Sequence, residues 1–289
     1  MTKPARWLWK VLRILLVVYA IACLLLVIFQ SRMLYFPQPL IESTPEDYGA
    51  QYSQISIPVD QSANLYVWWI PAKDPSSPTL IYFHGNYGNV GANAEHAARL
   101  ARTCCNVLLF DYRGYGRSSG PFPNESRIYA DAEAVWHYLV DQKHVHPDNI
   151  LFYGHSLGGG VAVEMASRHP EAAGLILDSA FTSVAERALV DPFYRCFPIR
   201  LLVHERFDSI HKLPSIRLPL LIIAGTADTT IPPSMSRELY AKAPGPKQLV
   251  LIDGGGHDNS AAIGGAKYTD PFAQFVSSTQ PQQQPLPHP

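Results

Sequence analysis

The chain carries almost no excess charge of either sign. Its 23 Lys and Arg stand against 24 Asp and Glu over 289 residues. Without a basic surplus there is no electrostatic case for binding phosphate backbones, so nucleic acid is not an expected partner. Metal-type cysteine spacing is also missing. Cys23 lies in an apolar stretch, Cys104 and Cys105 are adjacent, and Cys196 stands alone. Buried thiols are therefore expected rather than a disulfide to Cys196. There is no internal repeat. Gly158 to Gly160 lack the Lys-Ser or Lys-Thr of a phosphate-binding loop. Gly85, Gly88 and Gly91 have the wrong spacing for a dinucleotide fingerprint. No metal and no cofactor are expected.

One long apolar run is present. Ile14 to Phe29 carries no charge. Extended back to Trp7, with Lys10 and Arg13 snorkelling, it reaches the roughly 20 residues that cross a bilayer as a helix. Trp7 and Trp9 at one end, and Tyr35 and Phe36 at the other, suit the two interfaces. No clear small-x-small cleavage site follows the run. Ala20 to Cys23 faintly resemble a lipoprotein cleavage site, but the chain stays apolar beyond Cys23. The expected reading is an uncleaved single-pass anchor over residues 1–32. Lys3, Arg6, Lys10 and Arg13 precede the run and only Arg32 closely follows it. The positive-inside rule then places the N-terminus in the cytoplasm and the rest in the periplasm or another extracytoplasmic space.

After the run, strands alternate with helices. Ile55–Val59 and Leu65–Ile70 read as an antiparallel pair turned around Asp60 to Asn64. Short apolar runs at Thr79–Phe83, Asn106–Phe110, Ile150–Tyr153, Gly174–Leu177, Leu218–Ala224 and Gln248–Ile252 read as buried strands. Helical patterns fall at Ala92–Ala101, Glu125–Gln142, Ser234–Ala243 and, weakly, Ala261–Phe275. This order predicts an α/β fold, with a mostly parallel central sheet and helices on both faces. The fold is expected over residues 33–276, with a small cap at about 181–214. Residues 277–289, rich in Gln and Pro, are expected to be disordered.

Gly154-His155-Ser156-Leu157-Gly158 fits G-x-S-x-G between a strand and a helix. That is the pattern of a nucleophile elbow, a sharp turn that lifts one hydroxyl out of the end of a sheet. A serine hydroxyl needs a base to act at neutral pH. Asp228 lies just past one later strand, and His257 lies on the glycine-rich loop after the next, in the order Ser, acid, His. Asp178, Asp253 and Asp258 are the alternative acids. The backbone N–H groups of Leu157 and Asn86 are the expected oxyanion donors. Tyr87 either lines the pocket or is a surface aromatic. Arg113 and Arg117, in the Asp111 to Ser118 loop, either pair with acids there or hold a substrate carboxylate or phosphate. His144 and His146 read as solvated.

Taken together these stretches resemble an α/β-hydrolase, and within that superfamily the Bem46/ABHD13-like group of membrane-anchored serine hydrolases. The matching stretches begin with Phe83-His84-Gly85-Asn86, Gly88-Asn89 and Asp111-Tyr112-Arg113-Gly114-Tyr115-Gly116-Arg117-Ser118. They continue with Gly154 to Gly159, Phe181-Thr182-Ser183 and Gly256-His257-Asp258. The resemblance runs from about Tyr35 to about Gly265. It implies the α/β-hydrolase fold, a triad of Ser156, Asp228 and His257, and hydrolysis of an ester or thioester, with lipid among the candidate substrates. Two features depart from it. Gln61-Ser62-Ala63-Asn64 stands where the group has an Asp-Gly turn, and a spanning helix replaces the cysteine-rich N-terminus of the related depalmitoylases. A peptidase, or a catalytically silent scaffold used for binding, is the alternative.

Overall fold

The computed structural model describes residues 3–280. Eight strands form one sheet: β1 (Ser53–Asp60), β2 (Ala63–Ile70), β3 (Thr79–Phe83), β4 (Asn106–Phe110), β5 (Ile150–His155), β6 (Gly174–Asp178), β7 (Leu220–Gly225) and β8 (Lys247–Ile252). Their spatial order is β1-β2-β4-β3-β5-β6-β7-β8. The pairs β1–β2 and β2–β4 are antiparallel, and every other pair is parallel. The chain goes from β3 to β4 on one side and returns to β5 on the other. A crevice therefore opens at the carboxyl ends of β3 and β5, where such sheets bind ligands.

Residue alternation explains why the sheet is covered on both faces. Ile81, Phe83, Phe152, Leu175 and Ile222 point to one side. There they pack on α3 (Glu125–His137), α4 (Leu157–Arg168) and α5 (Pro233–Lys242), through Val135, Val161 and Leu239. Leu80, Tyr82, Tyr153, Ile176 and Ile223 point to the other side. They meet α2 (Ala94–Thr103) and α6 (Ala266–Ser278), through Ala97, Tyr268 and Phe272.

Several boundaries differ from the sequence reading. The hairpin turn is only Gln61–Ser62, because the Asp60 carboxylate accepts the Ser62 N–H and closes the turn that Asp-Gly would have made. The Glu125–Gln142 helix is α-helical only to His137 and finishes as a π-helical turn, Tyr138–Gln142. The cap region is a series of short helical turns, including Val184–Ala188, Pro192–Cys196 and Ile199–Leu202. The helix α6 runs through Ser278, two residues into the stretch expected to be disordered; residues 281–289 lie outside the described residues. All four cysteines are free thiols, but Cys196 is exposed, against the expectation of burial.

The N-terminal run is one helix, α1 (Lys3–Leu34), reaching two residues past the expected anchor. It is long and apolar enough to cross a membrane by length and composition. Immediately after it, Phe36 and Pro37 pair in parallel with Tyr87 and Gly88. No repeating pattern in the sequence announces so short a pairing.

Candidate active site

The strand β5 ends in a turn that holds Ser156 at φ +56° and ψ −120°, a region L-residues rarely adopt. The Ser156 N–H donates to the Asp178 carbonyl at 3.0 Å, and the Gly159 N–H donates to the Ser156 carbonyl at 3.0 Å. The flanking glycines make this turn sterically feasible. A Cβ at Gly154 would sit 2.2 Å from the Gly158 carbonyl oxygen, and one at Gly158 would sit 2.0 Å from the Phe83 carbonyl oxygen. The sequence pattern is thus the condition for strand β3, the elbow and α4 to approach this closely.

Ser156 meets two residues from distant loops. His257 Nε2 lies 3.0 Å from Ser156 Oγ, and His257 Nδ1 lies 2.8 Å from Asp228 Oδ2. A carboxylate can only accept, so Nδ1 carries the proton and Nε2 is left to accept from the serine hydroxyl. The other Asp228 oxygen accepts the N–H groups of Thr230 and Ile231, each at 2.8 Å. Burial pushes the Asp228 carboxyl up, but its hydrogen bonds to His257 and Ile231 outweigh that and leave its pKa lowered. Burial pulls His257 down, but the Asp228 hydrogen bond and charge win, and its pKa is raised above 6.5.

The other candidate acids are placed elsewhere. Asp178 accepts from the Tyr153 and Tyr268 hydroxyls at 2.9 and 2.6 Å. Asp253 accepts from Thr226 Oγ1, and the exposed Asp258 lies near His155. A His155, His257 and Asp258 group has atoms close enough to hold a metal. Both His257 nitrogens already face Ser156 and Asp228, so a metal on His257 would have to displace one of them.

A cavity of about 310 Å³ opens over Ser156, with Asn86 and Leu157 in its lining. Leu157 begins α4, so its N–H is among the first-turn donors without an intrahelical partner. Asn86 is held from three directions. Its carbonyl accepts the Phe36 N–H and the Tyr115 hydroxyl, at 2.9 and 2.7 Å, and its side-chain amide donates to the Leu34 carbonyl at 2.8 Å. The Asp111 to Ser118 loop braces this region. Asp111 accepts the Val90 N–H, and the Tyr112 hydroxyl donates to the His84 carbonyl. Arg113 is occupied by Asp131, with Nε 2.7 Å from Oδ1, and by Asp60. The Arg117 guanidinium sits over the Tyr66 ring.

Tyr87 is a correction. Its ring is 65 % exposed and it is absent from the cavity lining, because pairing with Phe36 turns it to the surface. Four residues of α1, unforeseen from the sequence, line the cavity instead: Leu26, Gln30, Met33 and Leu34.

Residues 74–207 match the family described as serine aminopeptidase, S33, a span that contains Ser156 and ends before Asp228 and His257. An uncharacterised protein of Mycobacterium tuberculosis is 35% identical over 251 residues, covering 86% of this chain and 88% of its own. The α/β-hydrolase domain-containing protein 17C of Xenopus laevis is 36% identical over 205 residues, covering 70% of this chain and 62% of its own. Among solved structures, an esterase of Pyrococcus furiosus superposes with a TM-score of 0.67 at 23% identity, over 85% of this chain and 98% of the esterase. The crossing of the chain at β3, the elbow after β5 and these likenesses agree: the chain belongs to the α/β-hydrolase superfamily.

Proposed function

We propose that the protein is a membrane-anchored serine hydrolase that cleaves a carboxylic ester or thioester through an acyl-enzyme on Ser156. The observation that carries this reading is the unbroken hydrogen-bond chain from Asp228 through His257 to Ser156, at the base of a largely apolar cavity. In this reading His257 Nε2 takes the Ser156 proton as Oγ attacks the carbonyl, then returns it to the leaving group. Asp228 fixes the tautomer and stabilises the imidazolium. The backbone N–H groups of Leu157 and Asn86 receive the developing oxyanion; each such donor is worth about 2.7–4 kcal/mol in the transition state. A water activated by His257 then releases the acid.

The family description raises a peptidase as the second reading. Capture of a free α-amine calls for an acidic side chain in the pocket. The charged side chain lining this cavity among the described residues is Arg187, which favours esters. A silent scaffold has no physical need of all three side chains in register. The test is Ser156→Ala. It should lose fluorophosphonate labelling and hydrolysis of short p-nitrophenyl esters while keeping the wild-type circular dichroism spectrum. Labelling that survives the substitution would overturn the role of Ser156.

A further inference from the structure

We propose that α1 is a wall of the substrate site as well as an anchor, and that the substrate is a long-chain acyl ester drawn from the bilayer leaflet beside the cap. This rests on the serine-hydrolase reading and names its substrate class. The cavity that begins at Ser156 and Leu157 is bounded by Leu26 and Met33 of α1 and by Ile199 and Leu202 of the cap. A catalytic cavity whose side is a helix of membrane-spanning length has its apolar wall in contact with the solvent of that helix, which is lipid.

The helix is docked. Ala22, Cys23, Leu26, Val27, Gln30, Ser31 and Leu34 are the less exposed positions of its second half, and their three-to-four spacing forms one stripe. Tyr19 stacks on Phe197 with centroids 5.7 Å apart, and its hydroxyl donates to the Cys196 carbonyl. Gln30 is a buried amide that would be costly in an apolar setting without partners. Its Nε2 donates to the Leu202 carbonyl, and its Oε1 accepts the N–H groups of His204 and Glu205. The buried Glu205 carboxylate accepts from Ser31 and Tyr35, each at 2.7 Å, and from the Glu125 N–H. A simple tether needs none of these bonds.

Depth decides what enters. From Tyr19 to Gln30 the helix rises about 16 Å at 1.5 Å per residue, about half of a hydrocarbon core roughly 30 Å thick. The uncharged run is Ile14 to Ser31. If α1 spans, the cap lies alongside the last two thirds of that run, mostly within the adjacent leaflet. The cap surface fits such a location: Phe193 is 60 % and Leu201 86 % exposed. An acyl chain already in that leaflet reaches Ser156 along Leu26 and Leu202 without passing through water.

The test uses the full chain in lipid nanodiscs. A long-chain alkyl fluorophosphonate with a diazirine at the chain end is allowed to label Ser156 and is then photolysed. The expected result is an intramolecular adduct on the α1 peptide containing Leu26 to Met33, or on Ile199 to Val203. Leu26→Trp and Leu202→Trp, each checked for wild-type melting, should lower the ratio of long-chain to short-chain kcat/KM roughly tenfold or more, the scale of filling an apolar pocket. Adducts confined to other segments, or a ratio within twofold of wild type, would overturn the proposal and leave the hydrolase reading standing. Absence of labelling at Ser156 in the wild type would overturn both.

Discussion

In the proposed mechanism His257 must be neutral to take the Ser156 proton, and its surroundings set the pH at which that holds. Its pKa is raised, so kcat/KM should fall on the acid side with a midpoint above 6.5, since below it the imidazole already carries its proton. Asp228→Asn removes the charge that raises it and, with the amide oxygen kept by the Thr230 and Ile231 N–H groups, turns an NH2 donor toward Nδ1 in place of the accepting oxygen. The acid limb should then move down, and kcat/KM should drop by roughly 10⁴, the effect of mis-setting the tautomer in such triads. A pH–rate profile on a p-nitrophenyl ester reads both; a limb that stays in place would show that Asp228 is not the group holding His257. The residues of this chain of bonds were legible in the sequence because each sits immediately beyond a strand, where the fold allows little freedom. Asp228 and Asp178 both follow strands, and only their partners separate them: His257 for one, Tyr153 and Tyr268 for the other. The sequence left Tyr87 open between pocket and surface, because its exposure depends on pairing with Phe36, which no pattern announces.

The strands of the sheet read well because they are short apolar runs bounded by loops, and the elbow read well because its glycines have no substitute. Replacing Gly158 with Ala would drive a Cβ to 2.0 Å from the Phe83 carbonyl oxygen, and backbone on both sides has no flexible end to move aside. The expected cost is about 3 kcal/mol. Urea unfolding should show that loss together with loss of fluorophosphonate labelling, because β3 carries the Asn86 loop and α4 carries Leu157. A Gly158→Ala variant of wild-type stability and labelling would mean that the elbow is looser than its geometry implies. The cap was not legible as structure. Its turns are too short for periodicity to register, and they are held by Gln30 and Ser31, long-range partners on a helix read only for its hydropathy. One signal was present: Gln30 is the first amide after the apolar run, and a polar side chain there needs a partner.

At the scale of the whole molecule, the proposed orientation rests on charge and on how the body is tied to the helix. Lys3, Arg6, Lys10 and Arg13 lie before the apolar run, against Arg32 close after it, so the N-terminus is expected to stay in the cytoplasm. The catalytic loops are tied directly to the other end of the same helix, since Asn86 donates to the Leu34 carbonyl and Phe36 pairs with Tyr87. The hydrolase body therefore follows the end of the helix: wherever Leu34 emerges, Ser156 emerges with it. Ser76 is an exposed position in the loop between β2 and β3, away from the cap. With Ser76→Cys in a Cys196→Ser background, expressed in a bacterial inner membrane, a membrane-impermeant maleimide should label intact spheroplasts as fully as lysed ones. Labelling only after lysis would place the sheet, and with it the proposed lipid-facing cavity, on the cytoplasmic side, and would reverse the leaflet from which the substrate is drawn.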